Sequence, residues 1–104
     1  MTRETLPNRR KTMGYAFAHN GQNYMAHVGR YEDGRVAEFF LTGAKVGTAV
    51  DTGAREASIL ASFALQHGAP VETIRLAMPR DLQGRPLGPL GAALDLLHRE
   101  GASK

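Results

Sequence analysis

Lys45, Thr48, Thr52 and Arg55, spaced among Gly43, Gly47 and Gly53, are the residues of this chain whose types and order could hold an anion. Glycine lets a backbone come close to a ligand. A helix beginning at Asp51 or Thr52 would turn its unpaired amides and partial positive charge toward the same loop. A phosphate or carboxylate is what such a place favours, with Lys45, Gly47, Thr48, Thr52 and Arg55 lining it. The segment is not a P-loop, because the Gly-Lys-Ser/Thr ending of that motif is missing. A second reading stands beside the first, in which the glycines only turn a strand tightly into a helix.

Other chemistries find fewer residues to work with. The chain has no cysteine, which removes thiol catalysis, thiolate metal sites and disulfides. No paired carboxylates and no Ser/His/Asp set stand at a workable spacing, so the chain is read as non-catalytic and without a cofactor. Ser58 and Ser62 fall on a helix of small residues and read as close packing. His67 and His98 fall near helix ends, where an imidazolium suits the helix dipole, and capping is their expected role. Arg80 to Arg85, with Gln83 and Gly84, reads as a polar connection between helices.

These side chains need strands and turns to position them. Alternating aromatic and β-branched runs at 13–19 and 22–29 flank Asn20-Gly21, and a third run at 36–41 follows Asp33-Gly34. Both dipeptides signal two-residue hairpin turns, so a three-stranded antiparallel meander is expected. The turns set a register in which Phe17 faces Tyr24, Val28 faces Phe39 and Glu32 faces Arg35. One face then gathers Met13, Tyr15, Phe17, Tyr24, Ala26, Val28, Ala37, Phe39 and Leu41, the side for helices to cover.

The other face gathers Ala16, Ala18, Met25, His27, Tyr31, Val36, Glu38 and Phe40, which is unusually apolar for a surface left to water. Met25, His27, Tyr31, Val36, Glu38 and Phe40 are therefore expected at an interface, with Glu38 in a salt bridge there. A second copy is the expected cover, giving a homodimer or higher oligomer. His19 and His27 fall on opposite faces and cannot share a metal ion.

Three helices follow the meander. The first, from about Asp51 to His67, carries Ala57, Leu60, Ala61, Ala64 and Leu65 at helical spacing, widened by Ile59 and Phe63, and is expected to be buried and central. The second opens at Pro70 and stops at Pro79, and the third opens at Pro89 with Leu90, Ala93, Leu94 and Leu97 on one side. The fold class is α+β, with the helices packed on one face of the sheet.

At 104 residues, the chain suits one domain over 13–104 behind a basic arm at 1–12. Arg3, Arg9, Arg10 and Lys11 against Glu4 account for the whole net charge of +3, leaving the body neutral. No signal segment or membrane-spanning run is visible, so a cytoplasmic protein is expected.

The stretch from Asp33 to Met78 resembles the TSCPD domain appended to adenosylcobalamin-dependent (class II) ribonucleotide reductases. The likeness rests on the strand Ala37-Glu38-Phe39-Phe40-Leu41, the loop Gly43-Ala44-Lys45-Val46-Gly47, and the helix end Ser62-Phe63-Ala64-Leu65-Gln66-His67-Gly68-Ala69-Pro70. The motif that names that family would fall near Gly88-Pro89-Leu90-Gly91, where only the proline is present. The resemblance implies a free-standing binding or regulatory module with a reductase as partner, without reductase activity or cobalamin. A nucleotide is the anion it suggests for the glycine loop. The alternative is a nucleic-acid accessory protein using the Arg9-Arg10-Lys11 arm, which would bind with steep salt dependence.

Overall fold

The computed structural model describes residues 12–43 and 47–100. They form β1 (Thr12–His19), β2 (Gln22–Arg30), β3 (Val36–Gly43), α1 (Ala49–Gln66), α2 (Val71–Ala77) and α3 (Pro89–Arg99). The strands make one antiparallel sheet in the order β1-β2-β3, so the expected α+β meander followed by helices is the fold observed. Residues 1–11 of the 1–12 arm, and Lys45, lie outside the described residues, while Thr12 already belongs to β1.

The first turn behaves as its dipeptide requires. Asn20 and Gly21 both take positive φ, 50° and 76°, and Phe17 pairs with Tyr24, their rings stacked 5.4 Å apart. The second turn is one residue longer than expected. Tyr31 N–H donates to Arg35 O and Gly34 N–H to Tyr31 O, enclosing Glu32-Asp33-Gly34, with Gly34 at φ 95°. The Asp33 carboxylate takes both the Arg35 amide and its Nε. Glu32 therefore does not face Arg35.

A β-bulge absorbs the extra residue. Arg30 pairs with Val36, the register shifts between Gly29 and Arg30, and from Gly29↔Glu38 and Val28↔Phe39 onward the pairing is the one the sequence predicts. The shift reverses the parity of the turn end. Val36 joins the helix-side core, and Tyr31 is buried in a cleft with Leu65, Pro70 and Val71. Tyr31 and Val36 are thus not on the second sheet face, where two-residue parity had put them.

Tyr24, Ala26, Val28, Phe39 and Leu41 pack against Ala61, Leu65, Ala93, Leu94 and Leu97. Each large side chain in that set contributes roughly 1.5–3 kcal/mol by leaving water. Met13 is the exception on the expected core face of the sheet, being 59% exposed.

Helix α1 is turned differently from its apolar count. Leu60 is 70% exposed and Ile59 and Phe63 nearly half exposed, while Asp51, Ser58, Ser62 and Gln66 are buried. The helix is not a central apolar rod. It lies along β3, and its small polar stripe faces the sheet because β3 offers backbone groups there to bond. Its C-terminus closes as expected: Gly68, at φ 102°, donates to Leu65 O, Ala69 donates to Ala64 O, and His67 Nδ1 lies 2.8 Å from Phe63 O.

Candidate functional site

The best-built polar site lies where α1 meets the outer edge of β3. An edge strand presents alternate N–H and C=O groups to water or to another chain. On β3 these outward groups belong to Ala37, Phe39, Leu41 and Gly43, and α1 side chains take them up in turn. Gln66 Nε2 donates to Ala37 O (3.0 Å), Ser62 Oγ accepts from Phe39 N (2.9 Å) and donates to Phe39 O (3.1 Å), and Ser58 Oγ accepts from Leu41 N (2.9 Å). Asp51 Oδ1 accepts from Gly43 N (2.9 Å). The helix thus stands in for a fourth strand.

Asp51 also decides how the glycine loop is used. Thr48 is the N-cap, and its Oγ1 accepts from Asp51 N at 3.2 Å. The other Asp51 carboxylate oxygen takes Gly47 N–H at 3.4 Å and Arg55 Nε at 3.0 Å. The Gly43 amide first, then Arg55, hold this carboxyl below its ordinary range. Gly47, Thr48, Thr52 and Arg55 do gather at the start of α1. The Gly43 and Gly47 amides, however, already serve the Asp51 carboxylate, and the Asp51 amide serves Thr48 Oγ1.

The second sheet face brings Met25, His27, Glu38 and Phe40 together. Met25 and Phe40 are 38% and 43% exposed. Glu38 is buried, its side chain folded over the Cα of Gly29. No group of three or more potential metal ligands occurs among the described residues, and no helix described is long and apolar enough to cross a membrane.

Sequence comparison relates the chain to part of much longer proteins. Over 72 residues, 69% of its length, the chain is 36% identical to a vitamin B12-dependent ribonucleotide reductase of Rhodopirellula baltica. Over 70 residues, 67% of its length, it is 33% identical to that of Bradyrhizobium diazoefficiens and 34% identical to that of Agrobacterium fabrum. The chain belongs with one segment of the vitamin B12-dependent ribonucleotide reductases. It spans only 6–7% of the length of these relatives. This fits the reductase appendage its sequence resembles. No protein-family model matches it, and no solved structure is significantly similar.

In this reductase-segment domain, the residues that sequence reasoning missed are structural in their contacts. Asp51, Ser58, Ser62 and Gln66 are spaced by seven, four and four, which puts them on one helical stripe, and that spacing was the available signal. No such signal marks the ion cluster that joins α2, α3 and the loop between them. There Asp95 receives Arg80 Nη2 at 2.7 Å and Arg75 Nη1 at 3.1 Å, while Arg75 also grips Glu72, and His98 Nδ1 lies 3.3 Å from Glu72.

Arg80, then Arg75, hold the Asp95 carboxyl at about 2. That folded value lies below the unfolded one of about 3.9, so the stabilisation is in place above about pH 4 and is lost as pH falls through about 2. Asp95→Asn is expected to cost about 1 kcal/mol at neutral pH, because water screens part of the attraction, and to flatten the acid limb of the stability curve. Urea midpoints at neutral and acid pH check this; an equal loss at both would assign the effect to packing.

Proposed function

We propose that this domain is a non-catalytic module that docks on a ribonucleotide reductase through the half-exposed sheet face of Met25, His27 and Phe40. The observation that carries the reading is the kinship to a small segment of much longer reductases, combined with a sheet face on which Met25 and Phe40 stay 38% and 43% exposed. The buried polar side chains support it too. Asp51, Ser58, Ser62 and Gln66 are spent on the edge of β3, and Asp95 lies between two arginines. Co-purification with the reductase of the same host tests the docking. The wild-type chain is expected to carry the reductase with it and Met25→Glu/Phe40→Glu to lose it while remaining folded, since both side chains are partly solvated. A wild-type chain that purifies alone would end the proposal.

The finer part of this reading is a nucleotide or other small anion held by Lys45, Gly47, Thr48, Thr52 and Arg55. Binding there requires the loop to exchange the Asp51 carboxylate for a phosphate, so the affinity is expected to be modest and to fall further in Arg55→Ala. Calorimetric titration with a nucleoside triphosphate reads both chains, and equal heats from the two would remove the site.

A further inference from the structure

The two edges of the sheet are treated unequally. Every second residue of β3 turns its backbone groups outward, and at each of Ala37, Phe39, Leu41 and Gly43 at least one of those groups meets a side chain of α1. The two-residue turn at Asn20-Gly21 makes His19↔Gln22 a hydrogen-bonded pair, so His19, Phe17 and Tyr15 bond to β2. By the same alternation Gly14, Ala16 and Ala18 point their N–H and C=O groups away from the sheet. All three are exposed. β1 carries none of the usual guards of an open edge: it has no proline, no lysine or other permanently charged side chain, and no bulge in its pairing with β2.

We propose that the β1 edge pairs with β1 of a second copy, antiparallel about a two-fold axis at Ala16, to make one continuous six-stranded sheet. The strand is self-complementary in that register. Gly14 meets Ala18 of the other copy and Ala16 meets its own counterpart, so small side chains line the new seam and the backbones can close to bonding distance. On the helix side, Tyr15 of each copy meets Phe17 of the other at a non-hydrogen-bonded position, where side chains stand closest. Both rings are only half-buried in the single chain, and Phe17 is already stacked on Tyr24, so the pairing extends an aromatic row. The edge is also held in place for this, since His19 Nε2 lies 3.1 Å from Leu87 O and ties the end of β1 to the loop before α3. A second copy thus meets the chain at the edge of the sheet, leaving the Met25–Phe40 face for another partner.

Sedimentation equilibrium across the micromolar range tests the pairing on the whole chain. The wild type is expected to dimerise, and Ala16→Pro to be monomeric, with thermal unfolding unchanged at dilutions where the wild type is monomeric too, because the Ala16 N–H points outward and proline is tolerated at such edge positions. Ala16→Lys sets like charges opposite each other and is expected to weaken association by about fivefold, which keeps the test sound if the proline variant misfolds. A wild-type chain that stays monomeric throughout, or a dimer that forms as tightly in both variants, would overturn the edge pairing.

Discussion

A Ser58→Ala/Ser62→Ala chain is expected to lose about 2 to 6 kcal/mol of stability, the cost of leaving two buried backbone donors on β3 without partners. Ser58 is fully buried and Ser62 nearly so, and the hydroxyls bond to Leu41 N and to both N and O of Phe39. A single buried N–H left unsatisfied costs roughly 1–3 kcal/mol, and two of them would remove a large share of the 5–15 kcal/mol that holds a domain of this kind together. The methyl groups left behind cannot repair this, because α1 sits too close to β3 for the strand to find another donor or acceptor. Urea unfolding measures the total, and amide exchange at Phe39 and Leu41 localises it. A loss below about 1 kcal/mol would mean that water enters the seam and that the helix is not acting as a strand. The paired serines share one strand, so the double substitution is expected to differ from the sum of the singles.

That seam also marks where sequence reasoning reached its limit. The meander, the Asn20-Gly21 turn, the pairing of Val28 with Phe39 and the starts of α2 and α3 were legible because each rests on local chemistry: positive φ at two adjacent residues, two-residue alternation, proline at a helix start. The length of the second turn was not. Asp33-Gly34 fits either a two-residue turn or the last two positions of a three-residue one, and only the bulge at Gly29/Arg30 shows which was taken. Because strand parity flips with one residue, this small ambiguity moved Tyr31 and Val36 to the wrong face.

The orientation of α1 was hidden for a different reason. Leu60, Ile59 and Phe63 outweigh Ser58, Ser62 and Gln66 on any hydropathy scale, yet an open sheet edge demands donors and acceptors rather than hydrocarbon. Which helix meets which edge is a tertiary fact. The Asp51 carboxylate follows from it, since a helix laid along β3 brings its first turn beside Gly43. Gly47, Thr48, Thr52 and Arg55 lie near the start of α1, and what the sequence could not show was the internal carboxylate of Asp51 among them.

Gly29 is expected to tolerate no side chain while Glu38 is present, and to welcome one when it is gone. A Cβ on Gly29 would lie 2.6 Å from Glu38 Oε2, 2.7 Å from its Cγ and 3.0 Å from its Cδ. A clash with the carboxylate tip alone could be relieved by rotating the end of the side chain. A clash with Cγ requires Glu38 to change its rotamer near the backbone, and Glu38 is buried and already engaged in a further interaction. Overpacking of this kind costs about 1–3 kcal/mol, so Gly29→Ala should fall in that range and Gly29→Val beyond it. In a Glu38→Ala background the space over Gly29 opens. Gly29 does not have positive φ, so alanine fits its backbone, and the same Gly29→Ala step should then stabilise the chain by about 0.4–1 kcal/mol through the entropy of the unfolded state. The sign reversal is the diagnostic, because a general intolerance of strand β2 to substitution would make Gly29→Ala destabilising in both backgrounds. A thermodynamic cycle of the four chains by urea unfolding reads it, and a coupling near zero would show that Glu38 does not need the missing Cβ.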